Sequence, residues 1–180
     1  MNREDVKLIE LNSEWESEFL SMVQEYAAAG ENPYSEIYIE TQENFQSFAA
    51  KLINYSKGLN LPAGEAAVST FWLVRDDKYL LGDSRLRHRL TPAWENEGGH
   101  IEYGIRPLER QKGYGSLILA LTLQKARQYG FGRVLLTCDD NNIASVRIIE
   151  KNGGAYIDKI VSQRTGRPVS RYWIDLRDKT

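Results

Sequence analysis

One cysteine, Cys138, stands in the whole chain, so no intramolecular disulfide can form and a thiolate zinc cluster lacks ligands. Histidine is almost as scarce. His88 and His100 are the only two, and with a single thiol they do not make a metalloenzyme, so no metal is expected. No apolar run approaches the roughly 18 residues that a membrane span needs. Met1-Asn2-Arg3-Glu4-Asp5 lacks the basic-then-apolar start of a secretory signal, so the expectation is a cytoplasmic protein with no membrane partner. Proline (5 residues) and glycine (14) are too few for a fibrous or low-complexity chain. Dense basic runs are missing as well, which argues against a nucleic-acid partner.

What is present fits one α/β domain over residues 1–180, with enough apolar residues (42%) to bury its own core. The net charge of −2 conceals a division. Residues 1–70 hold 4 Lys+Arg against 12 Asp+Glu, and residues 71–180 hold 19 against 13. That division suits a cationic substrate meeting a phosphate-bearing cofactor, or is no more than the solvated faces of helices.

Periodicity and capping residues divide the chain into elements. Ser13 caps a helix over about 14–29 that Gly30 stops, and Thr41, with Glu43 and Asn44 behind it, opens a second helix with a Phe45, Phe48, Ala49, Leu52, Ile53 stripe ending at Gly58. Strands are predicted over 69–74 and 79–90. In the latter, Arg85, Arg87 and Arg89 alternate with Leu86, His88 and Leu90 and so share one sheet face. A loop over 91–99 leads to a strand over 100–105, a basic connection over 106–113, and an apolar helix over 114–129. Residues 134–138 form a continuous apolar run of the kind found in interior parallel strands. A helix over 142–152 and an alternating strand over 170–176 close the pattern. The tryptophans Trp72, Trp94 and Trp173 are expected in the core, His88 and Cys138 in structural positions, and Asp139 and Asp140 near a helix N-terminus rather than on a metal.

The stretch with most chemistry is Gly99-His100-Ile101-Glu102-Tyr103-Gly104-Ile105-Arg106-Pro107, followed by Arg110-Gln111-Lys112-Gly113-Tyr114-Gly115. A strand enters a glycine-containing loop that opens directly into a buried helix. Glycines let the backbone approach a ligand, and the free N–H groups of the first helical turn converge on an anion such as a pyrophosphate. A Walker loop is absent, and the third glycine of a dinucleotide fingerprint is replaced by Ile118.

Arg110-x-x-Gly113-x-Gly115, followed by Asn142-Ile143-Ala144-Ser145 and Glu150-Lys151-Asn152-Gly153, resembles the two motif blocks of the Gcn5-related N-acetyltransferase (GNAT) family over about residues 70–176. The G-H-I-x-Y-x-I-R-P phrase and R-Y-W-I near the end look like a bacterial subgroup of acetyltransferases known from sequence. The resemblance implies a GNAT fold: a mixed, mostly antiparallel central sheet with splayed parallel strands, flanked by helices. Residues 1–65 would be the variable substrate-side helices and 66–180 the acetyl-CoA-binding core. Acetyl-CoA would be the cosubstrate. Its pantetheine arm would lie along Tyr103-Gly104-Ile105, and its pyrophosphate in the cradle formed by Gln111, Lys112, Gly113, Tyr114, Gly115 and Ser116. Arg110 and Asn142 would stand close by. The acceptor would be a primary amine of a small molecule or peptide, and a homodimer is an open expectation because many relatives are dimers. An alkylammonium with a pKa near 10 must lose a proton before it attacks. His100, with an ordinary pKa near 6.5, and Glu102 are the candidate bases. Many relatives carry a tyrosine seven residues after the asparagine to protonate the departing thiolate, whereas this chain has Ile149, so that Ser145, another tyrosine or water would fill the role, or no acid would be needed. That departure also admits an alternative, a non-catalytic acyl-CoA sensor or regulatory subunit.

Overall fold

The computed structural model describes residues 5–34, 44–163 and 165–177. Thr41 and Glu43, expected at the start of the second helix, lie outside the described residues.

Strand β1 (Val6–Glu10) leads through a 3-10 turn (Ser13–Trp15) into α1 (Glu16–Ala28), and α2 (Phe45–Ser56) follows. The caps are asparagines. Asn12 Oδ1 accepts from Glu14 N–H at 3.0 Å and Asn44 Oδ1 from Ser47 N–H at 3.0 Å, so the first cap is Asn12 and not Ser13. Strands β2 (Val68–Arg75) and β3 (Tyr79–Arg87) come next, then a short helix α3 (Pro92–Asn96) inside the expected loop, and β4 (Ile101–Ile105). A 3-10 turn (Pro107–Glu109) precedes α4 (Tyr114–Gln128). The remainder is β5 (Arg133–Asp139), α5 (Ile143–Lys151), β6 (Ala155–Val161) and β7 (Pro168–Asp175).

The strands form two antiparallel sheets, one in the order β1-β2-β3-β4 and one in the order β5-β7-β6. They meet at the Gly99–Leu136 bridge, beside which His100 N–H donates to Leu135 O at 2.7 Å. Gly99 stands there with φ +65°, where an added Cβ would come within 2.4 Å of Leu135 O, so no side chain fits. β5 therefore pairs antiparallel with β7, while no ladder joins it to β4. Its continuous apolar run reflects burial rather than parallel pairing, and the splay expected between β4 and β5 takes the form of this point contact.

Helices cover both faces. On one, Phe19 of α1 packs 4.8 Å from Phe48 and 5.2 Å from Phe45 of α2, with Trp72 of β2 beneath them at 6.3 Å from Phe19. Each of these buried aromatics contributes on the order of 2 kcal/mol through removal from water. On the other, Leu119 and Leu123 of α4 and Ile149 of α5 meet Leu86, Val134, Leu136 and Ile174. A register shift between Leu73 and Val74 leaves Leu81 as an extra residue in β3. Beyond it Ser84 faces α4, bonding Thr122 Oγ1 at 2.7 Å, while Asp83, Arg85 and Arg87 face α1 and α2. The shared face expected of the arginines holds for Arg85 and Arg87; Arg89 lies past the end of the strand and is exposed.

Candidate active site

From the Gly99 junction, β4 and β5 form two walls of a cleft of about 680 Å³. Ile101, Glu102 and Tyr103 line one wall and Leu136, Thr137, Cys138 and Asp139 the other. Trp94, Glu97 and Gly98 close one part of it, and Asn142, Ser145 and Ile149 of the α5 region contribute elsewhere. Of the residues expected at the site, the cleft thus gathers Glu102, Tyr103 and Asn142. Glu97 and Trp94 were not foreseen at the site, because their only sequence signal is a polar loop before a strand, and Thr137 was read only as part of the apolar run of β5.

The end of β4 feeds the loop. Gln111 takes φ +61° and Gly113 φ +87°, a left-handed pair that turns the backbone into the first turn of α4, whose N–H groups have no acceptor within the helix. Gly115 packs against Ile148: an added Cβ would lie 2.7 Å from its Cδ1. Ser116 Oγ accepts from Asn152 Nδ2 at 3.2 Å, which fixes α4 on the end of α5. Tyr114 buries its ring, and its hydroxyl accepts from Arg75 at 3.3 Å, so only its backbone is offered to a ligand. Gly104 and Ile105 continue the β4 edge, with Tyr26 and Asp83 close to the Gly104 Cα. Asn142 caps α5 by accepting from Ser145 N–H at 3.1 Å. The residues present fit a bound pyrophosphate: a left-handed turn and a helix N-terminus occur together.

Two side chains expected to meet the cofactor are occupied elsewhere. Arg110 donates from both Nη atoms to Glu31, at 2.7 and 2.8 Å, and from Nε to Ile105 O at 3.0 Å. Lys112 Nζ lies 3.0 Å from Glu109. Arg110 therefore ties the loop to the end of α1, and Lys112 adds positive charge from an exposed position.

His100 departs furthest from expectation. It is buried, its Nδ1 accepts from Leu135 N–H at 2.8 Å, and its ring packs against Phe131 and Trp173. Burial pushes its pKa down to about 4, with Arg87 and Arg133 adding to the fall. The ring's Nδ1 is engaged by Leu135 and the residue does not line the cleft, so the structure places His100 as a clasp between the sheets and Glu102, not His100, at the cleft. Glu102 is half-exposed at the cleft, 3.1 Å from Arg87, whose guanidinium stacks 3.7 Å from the Trp94 ring. The tryptophans form no common cluster: Trp72 is core, Trp94 lines the cleft, and Trp173 backs His100.

Behind β4 a buried polar network joins the two layers. Tyr34 donates to Asp83, whose carboxyl is raised above its usual range by burial, against the pull of Arg85 3.9 Å away. Cys138 is held as a neutral thiol, its pKa pushed up to about 11 by burial and by Asp139 and Asp140. Among the described residues no group of three or more His, Cys, Asp or Glu side chains is arranged to hold a metal, and no helix is long and apolar enough to cross a membrane.

Residues 4–155 match the family model described as "Acetyltransferase (GNAT) domain". Among solved structures, an acetyltransferase from Salmonella typhimurium bound to acetyl-CoA superposes with a TM-score of 0.67 at 13% identity, over 98% of this chain and 96% of that one. A spermidine N-acetyltransferase chimera from Vibrio cholerae and hSSAT gives 0.66 at 18% identity, with 96% of each chain covered. The Salmonella typhimurium enzyme that modifies the N-terminal serine of ribosomal protein L7/L12 gives 0.68 at 12% identity, over 96% and 95%. No curated protein sequence matches the chain.

Proposed function

Since the chain belongs to the GNAT acetyltransferase family, we propose that it moves an acetyl group from acetyl-CoA to a primary amine of a cationic small molecule or peptide. The observation that carries this reading is the unladdered seam between β4 and β5, from which β4 leads into the left-handed Gln111–Gly113 turn at the start of α4. The seam leaves the facing edges of β4 and β5 without a ladder between them and the turn offers N–H groups to an anion, which together suit an extended arm ending in a pyrophosphate. Tyr103, Gly104 and Ile105 would bind that arm through their backbone, Gln111 to Ser116 the phosphates, and Asn142 the arm from the other side.

Acetyl-CoA supplies an acyl carbon activated by a thioester. This chain's residues bring the amine to it and exclude water, which is worth several orders of magnitude through orientation alone. Glu97, Glu102 and Asp139 at the cleft favour a cationic acceptor, in line with the spermidine acetyltransferase among the structural relatives. Glu102 takes the ammonium proton, directly or through a water. Residues 1–65 supply the acceptor side, where α1 and α2 cover the sheet face that bears Asp83 and Glu102.

The test is calorimetric titration with acetyl-CoA, followed by CoA release in the presence of a panel of amines. Wild type should bind in the micromolar range, and Gly113→Asp, which places a carboxylate in the anion cradle, should weaken binding at least a hundredfold with the helical circular dichroism unchanged. Equal binding by both proteins would remove the loop from the cofactor site. Binding without turnover on any amine would leave the acyl-CoA sensor.

A further inference from the structure

Arg85 is a mostly enclosed guanidinium that no acceptor satisfies. It lies on β3 directly opposite Glu102 of β4 and Thr70 of β2, so the three form one row across the sheet face that α1 and α2 cover. Its Nε is buried without a partner, and neither Nη makes a hydrogen bond among the described residues, although 16% of the side chain stays accessible. Its neighbours in the row do not supply the missing acceptors. Thr70 Oγ1 is itself buried and unpartnered, so the two side chains do not bond. Asp83, two residues back on the same face, has Oδ2 3.9 Å from Nε, beyond bonding range, and its other oxygen accepts from Tyr34. Arg87, two residues on, is by contrast engaged throughout. It donates to Gly99 O at 3.3 Å and to Glu102 at 3.1 Å, and stacks on Trp94.

An arginine taken out of water needs acceptors in exchange. Burial works against the Arg85 charge, and Asp83 and Glu102 more than offset it, so the guanidinium stays charged. A charged fork with open Nη atoms is the shape that takes a carboxylate through two parallel hydrogen bonds. Glu102 lines the cleft, so an ammonium received there stands about 5 Å, one strand spacing, from the Arg85 position. An acceptor with positive charge alone would meet both Arg85 and Arg87 on its way to Glu102. A carboxylate a short carbon chain away from the amine removes that conflict and fills the fork. We propose that the molecule whose amine reaches Glu102 is an amino acid, held by its carboxylate on Arg85. This substrate class rests on the acetyl-transfer reading of the cleft and narrows it, because the cationic centre becomes one end of a zwitterion.

The experiment uses matched compounds: the common protein amino acids, their carboxamides, their decarboxylated amines, and spermidine. Each is offered to the protein with acetyl-CoA while CoA release is followed, and each is titrated calorimetrically into the complex with CoA. For the best amino acid, kcat/KM should exceed that of its amide and of its amine at least tenfold, with the same order in binding. This comparison needs no variant. Arg85→Gln should then lower kcat/KM for the amino acid at least tenfold more than for the amide, chiefly through KM. Arg85→Lys, which keeps the charge and loses the fork, should recover part of that loss, and a thermal melt checks the fold of each variant. Amides, amines or spermidine used as well as the amino acids overturn the proposal and leave acetyl transfer standing. An Arg85→Gln loss that is equal for acid and amide overturns it too. Amino acids that bind the CoA complex through Arg85 but release no CoA would support the carboxylate site and remove the transfer reading. Neither binding nor release with any amino acid overturns the proposal outright.

Discussion

At the scale of single residues, His100 shows how one contact reassigns a side chain. A histidine before a strand in the most polar stretch of the chain has the pKa and the position of a base. Its hydrogen bond to Leu135 N–H and its burial make it part of the framework instead. The consequence is acid sensitivity. The folded pKa, about 4, lies below the unfolded value of 6.5, so the neutral form is the one the fold holds. The unfolded chain binds the extra proton first, and the stability that His100 contributes is complete above pH 6.5 and lost as pH falls from there to 4. The size is on the order of 3 kcal/mol. His100→Asn keeps an acceptor for Leu135 N–H without a titrating group. Urea midpoints measured between pH 7 and 4 should fall less steeply for the variant than for the wild type, and parallel curves would refute the assignment.

At the scale of elements, the join between α1 and the loop is made by arginines whose partners lie far off in sequence. Arg106 is buried, donates to Leu80 O and Ser21 Oγ at 2.9 Å each, and pairs with Glu25 and, at 3.6 Å, with Glu18. Removing it strands Glu25 against the core. Arg106→Ala should therefore cost about 3 kcal/mol in urea unfolding and loosen α1, read as faster amide exchange over residues 16–28. A loss below about 1 kcal/mol would mean that water replaces the guanidinium without penalty. Such couplings were beyond the reach of the sequence, since the Arg110–Glu31 pair spans 79 residues and no local pattern announces it. What was legible had local causes. Helices α4 and α5 and the glycine turn came from periodicity, capping and the need for positive φ. β1 and β6 were missed because β1 is a five-residue edge strand and β6 exposes most of its positions, so neither shows the alternation of a half-buried strand. The lining of the cleft by Glu97 and Trp94 depends on how α3 folds back, which five residues cannot signal alone.

At the scale of the whole molecule, the two sheets and their helices form one scaffold around a cleft that crosses the sheet plane. A ligand that fills this seam touches both halves, so binding should stabilise the entire chain. Saturation with acetyl-CoA at about 100 times its Kd adds about 2.7 kcal/mol, which for a chain of this length raises Tm by about 5–10 °C. Differential scanning fluorimetry checks this: two transitions of which only one moves with ligand would mean that the ligand sits on one half only, and an unchanged Tm that it does not bind the folded chain. CoA should produce a similar rise, since the arm and the phosphates, and not the acetyl group, span the seam.

The Gly99 junction carries a further consequence, for solubility. Strand edges with free N–H and C=O groups are what recruits other chains into aggregates. Here the inner edges of β4 and β5 face each other across the cleft inside the fold. A free edge that would be a hazard on the surface is held instead within the cleft, out of line with a neighbouring chain's strands.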